Sequence, residues 1–260
     1  MRTNCWLDVK NTTAYKQGYK VIKKLSLQLF YNERIIILGP NGSGKSSIVD
    51  LINRNIYPLV EKESYFKIFN EELIDIWKVR KYISTVNNEI KLRINKDLKV
   101  KDVLLSGIYG RFCKINNPKK EELNKVKTLI DKMFLNDIAD KEFGYLSDGE
   151  RQISIIARAI INNPKVLILD EPSVNLDLRS RIFLVEKIKN LSQLGICILC
   201  ITHDISIITK DYTRLIFLKD RKIIRDGKPS ELMNSKNINQ LFDIDIELIE
   251  NSNSWDVNRV

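Results

Sequence analysis

The segment Gly39-Pro40-Asn41-Gly42-Ser43-Gly44-Lys45-Ser46 constrains this chain more than any other. It matches G-x-x-x-x-G-K-[ST] in full. The short apolar run at 34–38 before it reads as a buried strand, and residues 46–53 after it read as a helix. Strand, glycine-rich turn and helix start together make a cradle for phosphate. The glycines let backbone N–H groups turn toward phosphate oxygens. The helix directs its positive end at the same anion. Lys45 adds a full charge beside the β- and γ-phosphates of a nucleotide, and the Ser46 hydroxyl is a ligand for Mg2+. Ser47, one residue further along, is grouped with this set.

A second chemical cluster follows a second strand. Lys165-Val166-Leu167-Ile168-Leu169 runs into Asp170-Glu171-Pro172. In open α/β sheets, ligands bind at the carboxyl ends of strands. Asp170 is placed to hold the Mg2+ shell through water. Glu171, one residue further out, is placed to orient and polarise an attacking water. A third apolar run, 196–201, leads into Thr202-His203-Asp204, and His203 is the only histidine of the chain. Helices are expected at 150–162 and 179–194, and a hairpin at 214–225. Alternation of short strands with longer amphipathic segments implies parallel strands with crossover helices. Residues 90–160 read as mostly helical, and 21–30 as half-exposed strand. Past about Asp243 the pattern fades into a polar tail.

Leu146-Ser147-Asp148-Gly149-Glu150 precedes Arg151-Gln152 and a helix. It resembles the signature sequence of ABC ATPases, usually written L-S-G-G-Q. Ser147 and Gly149 are kept; Asp148 replaces the first glycine and Glu150 the glutamine. A loop feeding a helix N-terminus is a second place to hold phosphate. The resemblance covers residues 8–235, in the family's motif order. It implies an α/β fold: a P-loop RecA-like core with an antiparallel β section and a helical subdomain at about 90–160, all within 1–235. Residues 236–260 would be a C-terminal extension.

The resemblance also assigns roles. The signature residues Ser147, Asp148, Gly149 and Glu150 would meet a nucleotide held by another subunit's phosphate loop. His203 matches the family's switch histidine, bonding the γ-phosphate or Glu171. Asp177, in Ser173-Val174-Asn175-Leu176-Asp177, matches the D-loop acid at the dimer contact. Tyr15 is assigned to stack on adenine, with Tyr19 the alternative. One departure stands out: the family's Q-loop glutamine is missing, and Asn88 aligns there. Asn88 would keep the amide chemistry on a shorter arm, with the Mg2+ contact weakened, passed through water or moved to Glu89.

The function so implied is an ATPase subunit that uses ATP and Mg2+ to power a transporter. It would close with a second ABC ATPase subunit, as a homodimer, and act on transmembrane permease subunits. A soluble assembly ATPase, serving protein or iron–sulfur cluster assembly, is the alternative. No apolar run approaches the roughly 20 residues needed to span a bilayer. The expected place is therefore cytoplasmic, at the inner face of the membrane through a partner. The net charge of +10 would suit nucleic acid, but lysine is spread along the whole chain, as compositional bias produces. The inserted coiled coil or second nucleotide domain of the family's nucleic-acid members is absent. Cys197 and Cys200 form C-x-x-C inside the 196–201 run. Residues three apart on a strand face opposite ways, so core packing rather than a shared metal is expected.

Overall fold

The computed structural model describes residues 4–192 and 195–259. In chain order the first elements are β1 (Cys5–Lys16), β2 (Tyr19–Phe30), β3 (Arg34–Leu38), α1 (Lys45–Ile52), β4 (Tyr65–Ile68), α2 (Ile76–Tyr82), β5 (Ile83–Val86) and α3 (Asn88–Arg93). There follow α4 (Val100–Ile108), α5 (Lys120–Met133), α6 (Asp148–Ile160), β6 (Val166–Asp170), α7 (Leu178–Ser192) and β7 (Cys197–Thr202). The chain ends with β8 (Arg214–Lys219), β9 (Lys222–Gly227), α8 (Pro229–Leu232), α9 (Ser235–Phe242), β10 (Ile246–Glu250) and β11 (Trp255–Arg259). Two compact units result, Met1–Arg80 with Cys197–Val260, and Lys81–Ile196.

In the first unit, β1 lies between β2 and β4, antiparallel to both. The β1–β2 connection is the two-residue turn Gln17-Gly18, with φ of 51° and 81°. Two successive positive φ values give the turn a twist that matches the flanking strands. Along β2, Leu25, Leu27 and Leu29 are buried and alternate with exposed Ser26 and Gln28, the period-2 pattern of a sheet with one wet face; Ile22 is buried too, out of step across Lys24, whose φ is 47°. The parallel part behaves differently. β3 pairs with β7 on one side and β8 on the other, both parallel, and Ile35 to Leu38 are fully buried. A strand covered on both faces reads as a continuous apolar run. β9 closes this group as an antiparallel partner of β8.

The cysteines of the C-x-x-C are both buried on β7 and unbridged. Cys197 donates to Phe30 O and Glu33 O at 3.4 and 3.3 Å. Burial pushes its thiol up to about 12, which keeps it protonated and inert. Among the described residues no group of three or more His, Cys, Asp or Glu could hold a metal.

The polar end of the chain does not remain a tail. β10 and β11 pair from Ile246↔Arg259 to Glu250↔Trp255. Trp255 is 2% exposed, and the hairpin bonds the segment after β7 through Lys210 N to Asn253 O and the Lys210–Glu250 ion pair. Among the described residues of the hairpin Ile246 and Trp255 are the buried ones, too few for a periodic signal.

In the second unit, β5 and β6 run parallel from Ile83↔Val166 to Val86↔Leu169. α6 packs on α4 and buries Ile153, Ile155, Ile156, Ala157 and Ile160. Arg158 joins them: it donates to Arg111 O at 2.7 Å and stacks 4.4 Å from the Phe112 ring centroid. Burial and the neighbouring Arg93 lower its pKa to about 10, still charged at neutral pH.

Candidate active site

The phosphate loop is built by β3 and α1. Gly42 and Gly44 have φ of 78° and 101°, values that side chains rarely adopt. At Gly44 a Cβ would also lie 3.0 Å from Val21 O. The loop is braced from two sides. Gly39 N bonds Thr202 O at 3.3 Å, the residue before His203, and Arg221 N bonds Ser43 O at 3.0 Å from the β8–β9 turn. Lys45 is 5% exposed and its ammonium donates to Gly39 O and Pro40 O at 2.7 and 3.0 Å. It is thus held inside the loop, where a phosphate oxygen would take the place of those carbonyls. Ser43 Oγ is buried and has no hydrogen-bond partner among the described residues. A buried polar atom without a partner is costly, and a phosphate oxygen would satisfy it. The loop therefore fits a nucleotide phosphate on its own geometry. Ser46 is exposed and Ser47 half-buried at the start of α1; Asn41 is exposed at the loop tip and Pro40 half-buried.

Other predicted residues of the first unit lie on strand ends. His203 is exposed directly after β7. Tyr15 is near the β1–β2 turn, 43% exposed, with Lys20 Nζ 5.6 Å from its ring centroid. Its neighbour Lys16 reaches Asp50 on α1 at 2.7 Å, tying this end of β1 to the phosphate-loop helix. Tyr19 is 76% exposed on β2.

In the second unit, Asp170 ends β6 and both it and Glu171 are half-buried. Glu171 has φ of 52°, the left-handed region. Such a backbone costs about 1–3 kcal/mol at a non-glycine residue and concentrates at functional sites.

The signature loop is a capped helix start. Ser147 Oγ accepts from Glu150 N at 3.2 Å, and the Glu150 carboxylate accepts from Ser147 N at 2.7 Å, a reciprocal capping box. Burial raises the Glu150 pKa, but the Ser147 bonds and Lys141 outweigh it, and the net shift is downward. Gly149 is buried against α7: a Cβ there would lie 2.5 Å from Ser180 Oγ. Ser180 N in turn donates to Asp177 Oδ1 at 2.7 Å, which lowers the Asp177 carboxyl. Signature and D-loop residues are thus brought together through Ser180, a contact that no sequence pattern announces. Asn88 is exposed in the first turn of α3, and Glu89 beside it is exposed too. Asn87 caps this helix by accepting from Ile90 N at 3.1 Å.

The family model described as ABC transporter matches residues 22–174. The chain belongs to the ABC transporter family. This ABC ATPase is 28% identical over 246 residues to an uncharacterized ABC transporter ATP-binding protein of Lactococcus lactis, covering 93% of this chain and 94% of the relative. Among solved structures it resembles CbiO1 of Clostridium perfringens, part of the CbiONQ ABC transporter complex (TM-score 0.78, 25% identity, covering 91% of this chain and 94% of that one). It also resembles the ATP-binding cassette MJ0796, dimeric in a post-hydrolysis state bound to ADP and Pi (TM-score 0.68, 26% identity, 85% and 98% covered). The fold is that of ABC ATPase cassettes, and the activity is ATP hydrolysis.

Proposed function

We propose that this ABC ATPase powers a transporter by closing head to tail with a second copy around two ATP molecules, and by reopening on hydrolysis. The observation that carries this reading is the presence, in one chain, of two helix N-termini suited to phosphate. α1 stands behind the phosphate loop, and α6 behind Ser147. One nucleotide needs one such cradle; the second is accounted for when it serves the γ-phosphate of a neighbour. Ser147 Oγ accepts from Glu150 N and its O–H bonds the Glu150 carboxylate, so a phosphate oxygen would take that O–H in place of the carboxylate.

The roles follow from chemistry. Gly39 to Ser47 hold the phosphates, and Lys45 offsets their β- and γ-charge. Glu171 is the base that polarises the attacking water. His203 holds the γ-phosphate or Glu171 in reactive geometry. Asp177 lies at the dimer contact, and Tyr15 stacks on adenine. The proposed Mg2+ donors, Ser46, Asp170 and Asn88, all offer oxygen, as a hard cation that keeps several waters requires. When bound, Mg2+ neutralises charge on the β- and γ-phosphates.

Permease subunits are the proposed membrane partners. Among the described residues no helix is long and apolar enough to cross a membrane. The ATPase would then sit at the inner, cytoplasmic face of the membrane through that partner.

The deciding experiment is light scattering on Glu171→Gln, with and without Mg·ATP. This variant should bind ATP while losing turnover by about 100-fold or more. An ATP-dependent dimer is expected. A monomer that binds ATP, or near-normal turnover, would overturn respectively the sandwich and the role of Glu171.

A further inference from the structure

The second unit holds a cavity of about 520 Å³, and none of the residues assigned to the nucleotide lines it. Its floor is apolar, made by the buried Leu129, Ile160, Ile161 and Pro164. Its charged lining is of one sign. Lys125 and Lys132 stand two turns apart on one face of α5 (132 − 125 = 7), and Lys165 comes from the turn before β6. Among the described residues that line the cavity there is no aspartate or glutamate.

The walls are held by hydrogen bonds. Asn163, with φ of 51°, donates its N–H to Ile160 O at the end of α6 at 2.8 Å, and Lys165 N donates to Tyr82 O at 2.8 Å. The Asn162 amide ties the same turn to Gly107 O and Ile108 O at 3.2 Å each. Lys125 Nζ donates to the neutral Asn162 Oδ1 at 3.3 Å, and Lys165 Nζ lies 4.8 Å from the Tyr82 ring centroid. Among the described residues Lys132 makes no ion pair.

An apolar floor with a few convergent polar groups is the usual form of a small-molecule site. Three ammonium groups with no carboxylate among the described lining residues favour an anion. The floor adds a place to bury apolar surface, which inorganic phosphate cannot use. We propose that this cavity binds a small organic anion with an apolar body, in its simplest form a carboxylate of medium chain length. The carboxylate meets the lysines, and the chain lies on Leu129 and Ile160. This site is separate from the residues that meet nucleotide. It lies at the end of α6 and the beginning of β6, whereas Ser147 precedes α6 and Asp170 ends β6. The thirteen residues of α6 put about 20 Å between its two ends.

The test titrates the full chain, saturated with Mg·ADP, with the anionic fluorophore anilinonaphthalene sulfonate. Decanoate, decanol and inorganic phosphate are then tried as displacers at equal concentration. The native chain should show a saturable site that decanoate empties and the other two do not. Thr128→Trp fills the mouth from the exposed side of α5, and Lys125→Glu with Lys132→Glu reverses the rim charge. Each should weaken decanoate binding at least about tenfold while ADP affinity stays unchanged. Lys125→Arg with Lys132→Arg should bind as the native chain does. If Thr128→Trp does not fold, the lysine variants decide alone. Equal displacement by decanol would make the cavity simply apolar, and displacement by phosphate would make the rim a plain anion site. The absence of a decanoate-sensitive site, or affinity unchanged in the variants, would leave the cavity without this ligand. Each of these results overturns the proposal.

Discussion

Lys45 shows how one side chain both braces the phosphate loop and is placed to meet a phosphate. Its ammonium donates to two loop carbonyls, Gly39 O and Pro40 O, so it is held in place before any phosphate arrives. Charge-assisted bonds contribute about 1.5–3 kcal/mol each. Lys45→Ala should therefore weaken ATP binding at least about tenfold in a fluorescent-nucleotide titration; unchanged affinity in a folded variant would remove the phosphate-loop assignment. This residue was legible in the sequence because its motif is contiguous. Glu171 was legible as a carboxylate after a strand, but its left-handed backbone was not. A φ value is imposed by what the turn must connect, and residue type alone does not reveal it.

At the scale of elements, α6 joins a local signal to a distant contact. Its capping box was implicit in Ser147-x-x-Glu150, a spacing with a local mechanism. Its packing was not implicit. Gly149 touches Ser180, 31 positions away on α7 (180 − 149 = 31), and that approach fixes the helix start relative to Asp177. Gly149→Ala should force α6 and α7 apart, costing about 1–3 kcal/mol and lowering turnover. Urea unfolding checks the first and an ATPase assay the second. Ser180→Gly added to Gly149→Ala should recover stability, and no recovery would mean that this contact is not the limit. The pairing of Lys91 with Asp148 belongs to the same class: two charged residues 57 apart in sequence, each reading as an ordinary surface charge until α3 and α6 are packed.

Across the whole molecule, local pattern decided the strands and helices that bury a regular face, and long-range packing decided the rest. The apolar runs at 34–38, 166–169 and 196–201 became β3, β6 and, from Cys197, β7, because short, continuous aliphatic runs fit a doubly covered strand. The phosphate loop, the acids after 169 and the signature carry their chemistry in contiguous residues, so the family and the ATPase activity were readable from the chain alone. The C-terminal hairpin was not, because Ile246 and Trp255 have few apolar neighbours in sequence and gain theirs only in the folded unit. Trp255→Ala should cost about 3–5 kcal/mol and, through the segment that follows His203, depress turnover; thermal unfolding with a matched ATPase assay would show both, and a midpoint near that of the native chain would return residues 246–259 to the status of a tail. The sequence by itself thus determined the family, the ATPase activity and which residues are proposed to meet phosphate, since that chemistry needs specific side chains at short, fixed spacing. Only the tertiary structure decided what braces them, Thr202 and Arg221 at the phosphate loop, Ser180 and Lys91 at the signature, since those contacts join residues distant in the chain and depend on how the elements pack.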